Sequence, residues 1–156
     1  MSVGFPHAAI AIRRLSAFRL NKDRVPFLRD ADLRAEIHPY IAGVSKKLNC
    51  PPILVGGVED HIHALVRQGR TTTQADWVEE AKRASNDWAN KREVMLQVFA
   101  WQAGYGAFSV DPTRLGGVIQ HIENQEEHHK QVSFKDEFIE MLTTAGLEWD
   151  ERYIWD

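Results

Sequence analysis

Asp60-His61-Ile62-His63-Ala64-Leu65-Val66 is the stretch on which the fold turns. Two histidines flank one aliphatic residue and lead into an apolar run. Read as a strand, the segment alternates its side chains between two faces. His61 and His63 then share one face, and Ile62 and Ala64 share the other. Two imidazoles side by side on a rigid strand make half of a metal site. The same spacing also suits two ordinary half-buried histidines. Ile53-Leu54-Val55 and Gly56-Gly57-Val58 come just before, and Glu59-Asp60 reads as a turn, so a hairpin over 53–67 is expected.

Working outward, Asp30 is a candidate N-cap for a first helix. Leu33, Ile37, Ile41, Val44 and Leu48 come next at helical spacing, and Asn49 with Pro51-Pro52 stops the run. Pro39 lies inside and is expected to kink it. A second helix is expected from about 73 to 90, with Trp77, Ala81, Ala84 and Trp88 on one face. Lys82 and Arg83 fall off that stripe, on a solvated face or against a nucleic-acid backbone. Residues 94–101 read as a strand, continued through the glycines of 104–110. Asp111-Pro112 starts a third helix running to about Gln131, with Leu115, Val118, Ile119 and Ile122 as its buried stripe. A short helix is expected from Phe138 to about Thr144. Ahead of the first helix, Ala8–Ile12 and Leu15–Phe18 each compete for a first strand.

The order strand, helix, strand, strand, helix, strand predicts an α+β fold: a ferredoxin-like antiparallel sheet with helices packed on one face, plus a C-terminal helix. At 156 residues, one domain over 1–156 is the simplest division. A hydrophobic fraction of 44% beside 26% charged residues is that of a globular protein, and no apolar run reaches membrane-span length. Cys50 is the only cysteine, which excludes an internal disulfide and suggests a reducing compartment. The net charge of −3 argues against a protein that coats duplex DNA. Arg13, Arg14, Arg19, Lys22 and Arg24 nevertheless gather near the N-terminus, where they suit phosphates or plain solvent.

The third helix carries Gln120-His121-Ile122-Glu123-Asn124-Gln125-Glu126-Glu127-His128-His129. His121 and Gln125 are one turn apart and project from one face, with His128 continuing the line. That line borders the apolar stripe, so it is expected at the rim where helix meets sheet, within reach of His61 and His63. No Gly-x-Ser-x-Gly nucleophile and no phosphate-cradling glycine loop is present in the sequence.

These residues resemble the single-tyrosine HUH transposase family, which includes insertion-sequence and REP-associated tyrosine transposases. Asp60–Val66 resembles its HUH motif. Trp101–Val110 resembles the strand before its catalytic helix. Gln125–His129, Ser133-Phe134 and Glu137 resemble the C-terminal end of that helix. Lys22–Leu28 and Gly56-Gly57-Val58 also fit, so the resemblance spans about residues 20–156. It implies a ferredoxin-like, usually dimeric, cytoplasmic protein acting on single-stranded or hairpin DNA. It implies a divalent metal, magnesium or manganese, held by His61, His63 and Gln125. It also implies a tyrosine that attacks the phosphate and becomes joined to the DNA 5′ end. In this sequence the position one turn before Gln125 is His121, and Tyr40, Tyr105 and Tyr153 all lie off this helix. An imidazole there predicts impaired cleavage and strand transfer, and zinc or nickel becomes a candidate metal if His121 ligates. The competing expectations are a non-catalytic DNA-binding remnant and a metal-dependent hydrolase using His61, His63, His121 and Gln125.

Overall fold

The computed structural model describes residues 13–19, 27–59, 61–92, 99–102, 104–128, 130–144, 146–148 and 150. Four strands form one antiparallel sheet: β1 (Arg13–Arg19), β2 (Pro52–Gly57), β3 (His61–Arg67) and β4 (Gly106–Val110), in the order β2-β3-β1-β4. The helices are α1 (Ala31–Lys47), α2 (Gln74–Asn90), α3 (Leu115–Glu123), α4 (Gln125–His128) and α5 (Phe134–Thr144). Of the two candidates for a first strand, Leu15–Phe18 lies in β1, while Ala8–Ile12 falls outside the described residues. β1 is a central strand, with Ala17 opposite His63 on one side and Gly106 on the other. Of the expected strand over 94–101, residues 94–98 lie outside the described residues. Among the described residues, no helix is long and apolar enough to cross a membrane.

β3 is the spine. Its first six residues, His61–Val66, are all buried because both of its faces are covered. Ile62, Ala64 and Val66 meet Ile37 and Ile41 of α1 and Trp77, Val78 and Ala81 of α2. Leu65, on the histidine side, meets Ile122 of α3. The period of two thus divides the molecule: α1 and α2 cover one face, and α3 and α5 lie over the other. Polar anchors fix the larger apolar side. Trp77 Nε1 donates to Ser45 Oγ at 2.8 Å, and Trp101 Nε1 donates to Ser85 Oγ at 2.8 Å. Each buried indole donor is therefore satisfied, which removes a penalty of about 1–3 kcal/mol.

Helix ends obey the expected chemistry with two differences. Asp30 caps α1 by accepting from the amides of Asp32 and Leu33, and α1 continues through Pro39 as one helix. The expected long third helix is divided at Asn124, whose amide closes α3 on the Gln120 and Ile122 carbonyls. Asparagine is a weak helix former that readily takes such a position. The last helix starts at Phe134, earlier than its apolar residues suggested, because Ser133 Oγ accepts from the Asp136 amide at 3.2 Å and caps it.

His38 of α1 tests how tightly this side is sealed. Burial lowers its pKa to about 4, helped by the charge of Arg34, and its Nε2 has no hydrogen-bond partner among the described residues. A histidine whose folded pKa lies below its unfolded value resists charging in the fold. Its contribution is complete above pH 6.5 and is lost as pH falls toward 4, by up to roughly 3 kcal/mol. Urea midpoints should therefore drop across that window, and the His38→Gln variant should show a flatter profile.

Candidate metal centre

The hairpin turn brings β2 back beside β3, and Val58 donates its amide to His61 O at 3.1 Å. Gly57 sits at φ +158°, where an added Cβ would lie 2.3 Å from that same carbonyl oxygen, so glycine is required. Gly56 opens the other side. A Cβ there would come within 2.8 Å of Ile122 Cγ2, so its absence lets α3 press onto the sheet. His121 at the end of α3 and Gln125 at the start of α4 then reach the histidine face of β3.

His61 and His63 stand edge-on, ring centroids 5.1 Å apart at 86°, and neither is exposed. His63 and His121 make a second edge contact at 5.8 Å and 72°. His61 Nε2 donates to Gln125 Oε1 at 3.0 Å, and Gln125 Nε2 donates to the His121 carbonyl at 3.1 Å. The four side chains marked out in the sequence are thus together. The side chain of His128, placed on the same line, lies outside the described set.

At the centre is a fifth group, Glu137 of α5. Its Oε1 lies 3.3 Å from His63 Nε2 and its Oε2 lies 3.8 Å from His61 Nε2. His121 Nε2 donates to Oε1 in a short hydrogen bond. Glu137 is the only buried carboxylate among the described residues, at 2% exposure. Burial alone would push its carboxyl up. The hydrogen bond from His121 and the close approach of His63 and His61 outweigh that and hold it below the usual carboxylate range. His121 moves the opposite way: its bond to Glu137 raises its pKa against the effect of burial. In the sequence Glu137 stands out only through the resemblance, with no role attached to it. The available signal is an acid on the apolar spacing Phe134, Phe138, Met141 and Leu142, where a solvated carboxylate does not belong.

Lys82 and Arg83 have ordinary partners. Lys82 Nζ donates to the carbonyls of Gln102 and Gly104 at 2.7 and 2.8 Å and so anchors the chain before β4. Burial lowers its pKa to about 8. Arg83 pairs with Glu80 and Asp87. Tyr40 stacks on Trp88 between α1 and α2, and Tyr105 lies beneath Lys82. Both tyrosines are on the sheet face away from His61 and His63, and Tyr153 lies outside the described residues. The basic residues expected to meet phosphates are also undescribed: the side chains of Arg13, Arg14 and Arg19, and all of Lys22 and Arg24.

The profile of the family described as IS200-like transposases matches residues 18–125. The chain belongs to this transposase family. Its fold is similar to that of a REP-associated tyrosine transposase solved on a REP hairpin, with a TM-score of 0.59, 12% identity, and 78% of this chain and 70% of that one covered. A candidate transposase from Deinococcus radiodurans R1 aligns at 15% identity and a TM-score of 0.48, over 73% of this chain and 90% of that one. No curated protein sequence matches the chain. For this transposase-family member the donor set fits a divalent cation. His61, His63 and Glu137 each offer a ligand atom, all within 4.8 Å of one another. Neither ring nitrogen of His63 makes a well-formed hydrogen bond. A cation would satisfy that buried demand.

Replacing Glu137 with glutamine keeps the volume and removes the charge. Zinc affinity of Glu137→Gln, measured by competition titration, should fall by about 100-fold or more.

Proposed function

We propose that this transposase-family chain binds folded single-stranded DNA and carries a divalent-metal site, and that it has lost covalent strand transfer. The observation that carries the reading is the convergence of His61, His63 and Glu137, with Gln125 and His121, inside the fold of the matched family. The hairpin-bound relative supports hairpin DNA as the partner. β4 is one edge of the described sheet, the side on which a second copy would extend it into the homodimer that the resemblance implies. Work on DNA would place the protein in the cytoplasm.

Each residue has a role in this reading. His61 and His63 hold the metal from a strand that does not yield, since β3 is packed on both faces. Glu137 supplies a carboxylate from α5. In the metal-free chain Gln125 ties His61 to the backbone of α3, a bond that gives way once His61 Nε2 takes a metal. With a tyrosine at position 121, a divalent ion there would supply charge that polarises a phosphate oxygen and eases departure of the leaving oxygen. Family membership favours magnesium or manganese, whereas three imidazoles favour zinc or nickel. His121 stands where we place the family's tyrosine. It forms no phosphotyrosine, and it is already engaged with Glu137. Positioning of an in-line nucleophile supplies about 7–11 kcal/mol of such a barrier, and a diffusing group does not replace it.

Hairpin oligonucleotides should bind more tightly than plain duplex, with affinity falling steeply as salt rises. Equal affinity for both forms would overturn the binding reading. On denaturing gels the wild-type protein should give no covalent DNA adduct. The His121→Tyr variant should give a metal-dependent one. An adduct with wild-type protein would show that another group serves as nucleophile.

A further inference from the structure

We propose that the metal is closed in by four ligands of this chain, His61, His63, Glu137 and His121, and that it cross-links β3, α3 and α5 instead of serving an open catalytic position. This rests on the metal-site reading above and extends it to His121.

The first support is distance. Ligands bound to zinc at about 2.0–2.1 Å in a tetrahedron lie roughly 3.3–3.4 Å from one another. His63 Nε2 and Glu137 Oε1 are already 3.3 Å apart, and His61 Nε2 and Glu137 Oε2 are 3.8 Å apart. His121 Nε2 is hydrogen-bonded to Glu137 Oε1 but stands outside the group of donor atoms within 4.8 Å of one another, so its bond to the metal needs the ring to turn inward. The second is direction. Successive rings meet edge-on, at 86° and 72°, and all three Nε2 atoms turn to one carboxylate. The third is enclosure. His61 and His63 are fully buried and Glu137 nearly so, which leaves His121, one-third exposed, as the cover. Catalytic zinc sites keep three protein ligands and one open position, whereas structural sites use four. An imidazole at 121 would take the open position. Gln125 then acts from outside the ligand set. Its amide donates to the His121 carbonyl at 3.1 Å and lies 3.4 Å from Glu137 Oε1, so it orients two of the ligands.

Cobalt reads this out without any DNA. Four-coordinate cobalt(II) absorbs strongly in the visible range, and six-coordinate cobalt(II) absorbs weakly. The wild-type protein should show the strong band, zinc should displace it, and zinc should raise Tm. The His121→Ala and His121→Gln variants, checked as folded by circular dichroism, should show a shifted band that changes with pH, because an ionisable water takes the fourth position. They should lose at least about tenfold in zinc affinity. A weak spectrum in the wild type overturns the proposal, as does a strong band unchanged in both variants. Absence of cobalt uptake overturns it together with the metal-site reading. Hairpin binding by the metal-free protein separates the two levels. A protein that binds hairpin DNA and holds six-coordinate cobalt keeps the DNA-binding reading and loses the closed site.

Discussion

A carboxylate removed from water must be met by positive charge or by hydrogen bonds, and Glu137 is met by three imidazoles. That requirement draws three elements to one point. β3 brings two rings, α3 brings the third, and α5 brings the acid. Removing one member of such a cluster leaves the others buried without compensation, so the group is kept or lost as a unit. The balance of charge within it also favours a bound cation. A carboxylate held below its usual range faces a histidine whose two ring nitrogens make no well-formed hydrogen bond.

Everything around the cluster limits its freedom. β3 is packed on both faces, so its two histidines are fixed by the same burial that forms the core. Gly56 and Gly57 let α3 and the hairpin turn approach where a methyl group would collide. Gln125 joins α3 to His61 through opposite ends of one amide. On the opposite face, Ser45 and Ser85 satisfy the two buried indoles that anchor α2 and the segment before β4. The site is therefore rigid before anything binds. Only His121 among its members reaches solvent to any extent, beside a groove of about 590 Å³ lined in part by Phe108, Val118 and Met141.

Membership of a transposase family and retention of transposase chemistry are separate matters, because the fold is built by the core and the chemistry by a few side chains. The core residues of β3, α1 and α2 are indifferent to what occupies position 121. A phenol there would offer an oxygen to a phosphate. An imidazole there offers a nitrogen to a carboxylate or a cation. The side chain at one position beside the site can thus change what the site does without changing the fold.

The sequence by itself determined the elements and the faces. The period of two over His61–Val66 separated histidines from core, and the period of 3.6 placed α1, α2 and the start of α3 within a few residues of where they lie. Both signals are local, because burial on one side repeats with the geometry of the element. The i, i+4 relation likewise put His121 and Gln125 on one side of the chain, across the break between α3 and α4. The break at Asn124 and the early start of α5 were less visible, since a single cap decides each and neither repeats. Glu137 as the centre of the site was decided only in the tertiary structure. It is 74 residues beyond His63 in the chain, and no periodicity links them. Its role comes from α5 folding back over the histidine face of the sheet, where a charge with no local partner finds three distant ones.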